Sequence, residues 1–126
     1  MNTRNIDYAK VLLSKGRLKG LTNPSVTLIG NQEEGLSLWF DWEVTVKDRK
    51  WPRCNDQVML IAYFPGEFNK EAASHQMVRA MRRAGQEVLE LPISMAGKSI
   101  EVFIALVSED KTEAANSQYL GHIKIP

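Results

Sequence analysis

Ile100-Glu101-Val102-Phe103-Ile104-Ala105-Leu106-Val107 is the stretch that decides the fold. Apolar residues fill nearly every position, so both faces of the segment are apolar. Ser108, Glu109, Asp110 and Lys111 break the run, and a second short segment rises from Asn116 to Ile125. The pattern is strand, turn, strand. Upstream, Leu38-Trp39-Phe40-Asp41-Trp42 repeats with a period of two. Leu36, Leu38, Phe40, Trp42 and Val44 then share one face of a strand, and Trp39, Asp41 and Glu43 share the other. The shared spacing predicts that Leu38, Phe40 and Trp42 meet Ile100, Val102, Ile104 and Leu106 in a core between two sheets.

The rest of the chain fits a small β-sandwich. Ser25 to Ile29 reads as a strand, Gly30 to Gly35 as a polar turn, and Leu36 to about Val44 as its hairpin partner. Val58 to Phe64 is apolar on both faces, as in a central strand covered on both sides. Gln86 to Leu91 alternates and is ended by Pro92. Lys15 to Pro24 is a loop with turn chemistry at Gly16, Gly20 and Asn23-Pro24, and Thr45 to Asp56 is a polar loop holding Trp51-Pro52. Ile6 to Ser14 is either a turn of helix or an edge strand, and its length does not decide. Glu71 to Ala84 is ambiguous: propensity favours helix, while Met77, Arg79 and Met81 also alternate against Val78 and Ala80 as in a strand. The expected division is an N-terminal segment and loop over 1–24 and a sandwich domain over 25–126.

The chain has 126 residues, enough for one domain with a core of its own. Its formal net charge of +1 argues against strong attraction to nucleic acid or anionic membrane. Cys54 is the only cysteine, so no internal disulfide forms. No signal peptide or membrane-spanning run is read in the chain, and a cytoplasmic location is the default expectation.

Leu38-x-Phe40-x-Trp42 resembles the second strand of fibronectin type III domains, which carries a buried tryptophan, and Gly97 to Ser117 resembles their last hairpin. More closely, the chain resembles a family of uncharacterised gut-bacterial proteins, a domain of unknown function whose C-terminal half is of this immunoglobulin- or fibronectin-like kind. Asp7 to Gly16, the Leu-x-Phe-x-Trp strand, Val58 to Tyr63, Gly85 to Pro92 and Glu101 to Gly121 carry that likeness. The resemblance implies an all-β, immunoglobulin/fibronectin type III-like sandwich of about seven strands. It also implies a strand over Glu71 to Met81, against propensity. The corner position where fibronectin-type domains keep a tyrosine is Ile100, so the usual hydroxyl-to-backbone bond is absent there. Members of the family also carry an additional N-terminal half, which the resemblance implies is missing from this chain. No activity comes with the likeness.

Candidates for chemistry are sparse. His75 and His122 lack partners at metal-ligand spacing and read as solvated. Cys54, beside Arg53, has no adjacent base and reads as an incidental thiol. Glu33-Glu34 and Glu109-Asp110 read as solvated turns. Arg79, Arg82 and Arg83 read as a solvated sheet face, neutralised across strands by Glu71, Glu87 and Glu90. Trp39 points outward and is expected to lie under the Thr45–Asp56 loop.

The sequence therefore predicts no enzyme, no catalytic residue, no cofactor and no metal. The expected function is a structural or protein-binding module. A carbohydrate-binding module using an exposed tryptophan is the first alternative, and a small enzyme the second. Trp39, Trp51, Phe103 and Val107 are the candidate binding surface. The expected partner is a protein, a missing N-terminal domain or another copy of the chain, with no nucleic acid and no membrane insertion. The outer face carrying Phe103 and Val107 is expected to be covered, first by the Ile6–Leu13 segment, because monomers rarely leave apolar patches above about 300–600 Å² open to water.

Overall fold

The computed structural model of the protein describes residues 15–31, 33–65, 73–92 and 97–126. Seven strands form two antiparallel sheets. They are β1 (Thr22–Asn31), β2 (Gly35–Glu43), β3 (Gln57–Pro65), β4 (Ala73–Met81), β5 (Gln86–Leu91), β6 (Ser99–Val107) and β7 (Gln118–Lys124). One sheet has the order β1-β2-β5 and the other β4-β3-β6-β7. The third and fourth strands pair in one sheet while the fifth returns beside the second. This is a β-sandwich of the immunoglobulin/fibronectin type III-like kind.

Period-two patterning builds the core. Leu38, Phe40 and Trp42 of β2 are buried against Ile100, Val102, Ile104 and Leu106 of β6, as their spacing predicts. Val58, Leu60, Ala62 and Phe64 of β3 and Leu89 and Leu91 of β5 complete it. The core also extends past the predicted loop boundary. Strand β1 begins at Thr22, three residues before the predicted Ser25; Leu21 is buried and Leu18 packs against the cluster.

Within Glu71 to Ala84, Ala73–Met81 is the strand β4, not a helix, and Arg82–Ala84 is a short 3-10 turn. The whole length of β4 is laddered onto β3, from Pro65 opposite Ala73 to Gln57 opposite Met81. Cross-strand pairing and half-burial of Val78 and Ala80 against the core outweigh the helix propensity of its alanines and methionines.

Residues 15–18 run beside the 114–116 segment. Arg17 bridges Ala115, the Leu18 N–H donates to the Ala114 carbonyl at 2.9 Å, and the Gly16 N–H donates to Asn116 Oδ1 at 3.0 Å. A Cβ at Gly16 would lie 2.0 Å from the Ala114 carbonyl oxygen, so this approach requires glycine.

The outer face of the four-stranded sheet is not bare over β6 and β3, while Met77 and Met81 of β4 on the same face are exposed. Phe103 is 1% exposed and Ala105 is also buried, while Met59, Ile61 and Tyr63 beside them are half-buried. The predicted cover, Ile6 to Leu13, lies outside the described residues.

Candidate functional site

The sandwich is closed at one end by Thr45 to Asp56, which is more than a polar loop. Two 3-10 turns, Lys47–Arg49 and Arg53–Asn55, shape it, and a third, Arg82–Ala84, joins β4 to β5 beside it. Thr45 and Asp48 lock the first turn reciprocally. The Thr45 N–H donates to Asp48 Oδ2 at 3.1 Å, and the Asp48 N–H donates to Thr45 Oγ1 at 3.2 Å.

Arg82 holds this end together. The sequence reading put it on a solvated face with Arg79 and Arg83, and that is corrected: its exposure is 0%. Nε lies 3.1 Å and Nη2 2.9 Å from Asp56 Oδ2, and Nη1 lies 3.2 Å from Asp48 Oδ1. Nη1 also donates to the Gly20 carbonyl and Nη2 to the Lys19 carbonyl, at 3.4 and 2.6 Å. A buried guanidinium persists because its forked donors meet oxygens in fixed directions. The Arg82 N–H donates to the Asp56 carbonyl at 2.8 Å, and the Arg82 carbonyl accepts from Trp42 Nε1 at 2.7 Å. The arginine thus links the N-terminal loop, the 45–56 loop, the β4–β5 turn and the core.

Burial alone would raise both acids. At Asp48 the two Thr45 bonds and the charges of Arg82 and Arg53 outweigh it and hold the carboxyl below its ordinary value. At Asp56 burial prevails over Arg82 and pushes the carboxyl up.

On this base stand the exposed groups. Trp51 is 76% exposed and Val46 68%. Lys47, Arg49 and Lys50 are exposed on the same loop, and Arg53 lies 3.6 Å from Asp48. A shallow cleft of about 310 Å³ runs alongside, between Lys19, Thr22, Val46, Lys47 and Arg53.

The four predicted binding residues do not converge. Trp51 is on this loop. Trp39 is on the outer face of the three-stranded sheet, opposite Thr27 and Val88; at 38% exposure it is not sealed beneath the loop as expected. Phe103 is removed from the surface by its burial, with the Tyr119 ring 5.3 Å away and tilted by 53°. Val107 is half-buried at the end of β6, bridged to Ala114.

The histidines differ from expectation at one point. His122 is exposed, but its Nδ1 lies 2.7 Å from Oε2 of buried Glu101, whose Oε1 accepts the Tyr119 hydroxyl at 2.5 Å. A bulge sets this up: Phe103 pairs with Tyr119 and Val102 with Gly121, leaving Leu120 as the extra residue. Residues three apart then reach the same outer face, which an unbroken strand forbids. The side chain of His75 lies outside the described residues. Among the described residues no three His, Cys, Asp or Glu side chains converge on a metal-sized site. Cys54 is half-buried beside Asn55.

The paired acids sit in turns as predicted. Asp110 accepts from the Thr112 hydroxyl, the Ser108 hydroxyl and the Thr112 N–H, which lower its pKa from 3.8 to about 2. A carboxylate with a depressed folded pKa stabilises the fold above its unfolded value, and that support is lost as pH falls through the folded one. The melting temperature of Asp110→Ala is therefore expected to lie below the parent's at neutral pH and to converge on it between pH 3.8 and about 2. A gap that persists at the acid end would overturn this.

Sequence reasoning missed Arg82 and the loop cations. A signal for the loop was present: Lys47, Arg49, Lys50 and Arg53 fall within seven positions around Trp51. No helix among the described residues is long and apolar enough to cross a membrane. No curated protein and no solved structure matches the chain. The Family of unknown function (DUF6266) matches over residues 2–121, nearly the whole sequence, and the chain belongs to this family.

Proposed function

We propose that this β-sandwich is a non-catalytic module that binds a protein partner through its 45–56 loop. The observation that carries the reading is Trp51, 76% exposed at the tip of a loop whose base is locked by buried ion pairs. Tryptophan and arginine are the side chains that most often anchor protein interfaces. A loop already held in shape loses little further freedom on binding. Val46, exposed on the same loop, adds apolar surface to it, and Lys47, Arg49 and Lys50 add exposed cations. A carbohydrate platform would call for a row of bare tryptophans on one face. Trp39 and Trp51 lie on different surfaces, so the protein partner is the preferred reading.

A benzophenone side chain in place of Trp51, introduced into the full chain in its native cells, tests this. Irradiation is expected to give a discrete protein adduct at position 51 and none with the same probe at exposed Lys124. Absence of an adduct at 51, or equal adducts at both positions, would overturn the reading.

A further inference from the structure

The partner's chemistry can be read from the charge on the three-stranded sheet and on the 45–56 loop. We propose that the loop docks on a second copy of this chain, against the outer face of its three-stranded sheet; this rests on the loop-binding reading above. Strands β1, β2 and β5 and the β1–β2 turn contain no lysine or arginine. They contain six acids: Asp41, Glu43 and Glu90 on the outer face, Glu33 and Glu34 in the turn, and Glu87, opposite Phe40, on the inner side at the sheet edge. Among the described residues none of the six is ion-paired. Their partners are neutral: Asn31 for Glu34, Ser25 for Asp41, Asn23 for Glu43 and the Val88 N–H for Glu87. The chain as a whole carries +1, so this sheet is an anionic surface on a nearly neutral protein.

The centre of that face is apolar. Trp39 is flanked by Val88 on β5, with Ile29 on β1 nearby, and each of the three is 38–39% exposed. An apolar centre with an acidic rim calls for a partner with an apolar tip and a cationic rim. The 45–56 loop has that form. Trp51 and Val46 are its exposed apolar residues, and Lys47, Arg49 and Lys50 are exposed with no ion partner among the described residues. Its two acids, Asp48 and Asp56, are buried against Arg82 and subtract little. The cationic loop alone would suit any polyanion. The anionic face would repel a nucleic acid or an acidic membrane, and a second copy is the partner that matches both surfaces at once.

Sedimentation velocity of the full chain decides. At low ionic strength the parent is expected to sediment as a dimer or larger, and to fall to monomer at about 0.5 M salt. Lys47→Glu with Arg49→Glu and Lys50→Glu is expected to weaken association by about tenfold or more. Glu33→Lys with Glu34→Lys and Glu90→Lys should do the same. Mixing the two variants should restore a complex, because each supplies the surface the other has lost. Unchanged melting curves for both variants exclude misfolding as the cause. A parent that stays monomeric at low ionic strength, or association indifferent to both reversals, overturns the proposal. So does binding of the monomeric parent to anionic vesicles or single-stranded DNA. If the parent is monomeric yet position 51 crosslinks to a different protein, this inference falls and the loop reading stands.

Discussion

Replacing Arg82 by alanine is expected to destabilise the fold by about 3–5 kcal/mol, on the scale of breaking a buried ion pair from one side. The loss follows from what remains. Asp48 and Asp56 stay buried without their shared cation, and the Lys19 and Gly20 carbonyls lose a donor. For a domain with a net stability of about 5–15 kcal/mol this is a large fraction. Arg82→Lys should recover little, because a single ammonium cannot reach oxygens that approach the guanidinium from several directions. Arg82→Met combined with Asp48→Asn and Asp56→Asn should be more stable than Arg82→Met alone, since the orphaned charges are gone. Urea denaturation of the four variants measures this. An Arg82→Ala protein within about 1 kcal/mol of the parent would show that the network contributes no net stability.

The fold was legible in the sequence where one face of a strand is buried. Leu38, Phe40 and Trp42, and Ile100, Val102, Ile104 and Leu106, keep a two-residue period because the pleat sends alternate side chains to the core. Strand β4 was legible only through the family likeness. Its alanines and methionines favour helix locally, and the ladder onto β3 that overrides them is a long-range contact. Arg82 was not legible. Its carboxylate partners lie 34 and 26 residues earlier, and nothing beside it in the chain distinguishes it from Arg83, which is exposed and donates to Asn55. Burial of Phe103 was anticipated as cover for an apolar face, yet the same residue also stood among the binding candidates; its 1% exposure selects the first role. The anionic sheet was legible and unread. A whole-chain charge of +1 conceals that residues 22–46 carry four acids and no lysine or arginine.

Trp42→Ala is the second large loss expected, about 3–5 kcal/mol, the range for removing a large aromatic from a core. Trp42 is buried between the sheets, but it is also the point where the core meets the Arg82 network. Its Nε1–H donates to the Arg82 carbonyl at 2.7 Å, and its backbone N–H donates to the Gly85 carbonyl at 3.0 Å. Trp42→Phe separates the two contributions. It keeps much of the buried ring and loses the indole donor, leaving a buried carbonyl unpaired at about 1–3 kcal/mol. If that hydrogen bond fixes the turn from which the Arg82 side chain departs, the two residues are energetically coupled. Trp42→Phe with Arg82→Ala should then cost less than the sum of the single losses, by about 0.5–3 kcal/mol. Loss of the turn geometry in either single variant already spoils what the other residue holds. Equilibrium denaturation of the double-mutant cycle reads this directly. Losses that add to within about 0.3–0.5 kcal/mol would mean that core and clasp are independent. The Arg82 network would then hold the 45–56 loop without help from Trp42.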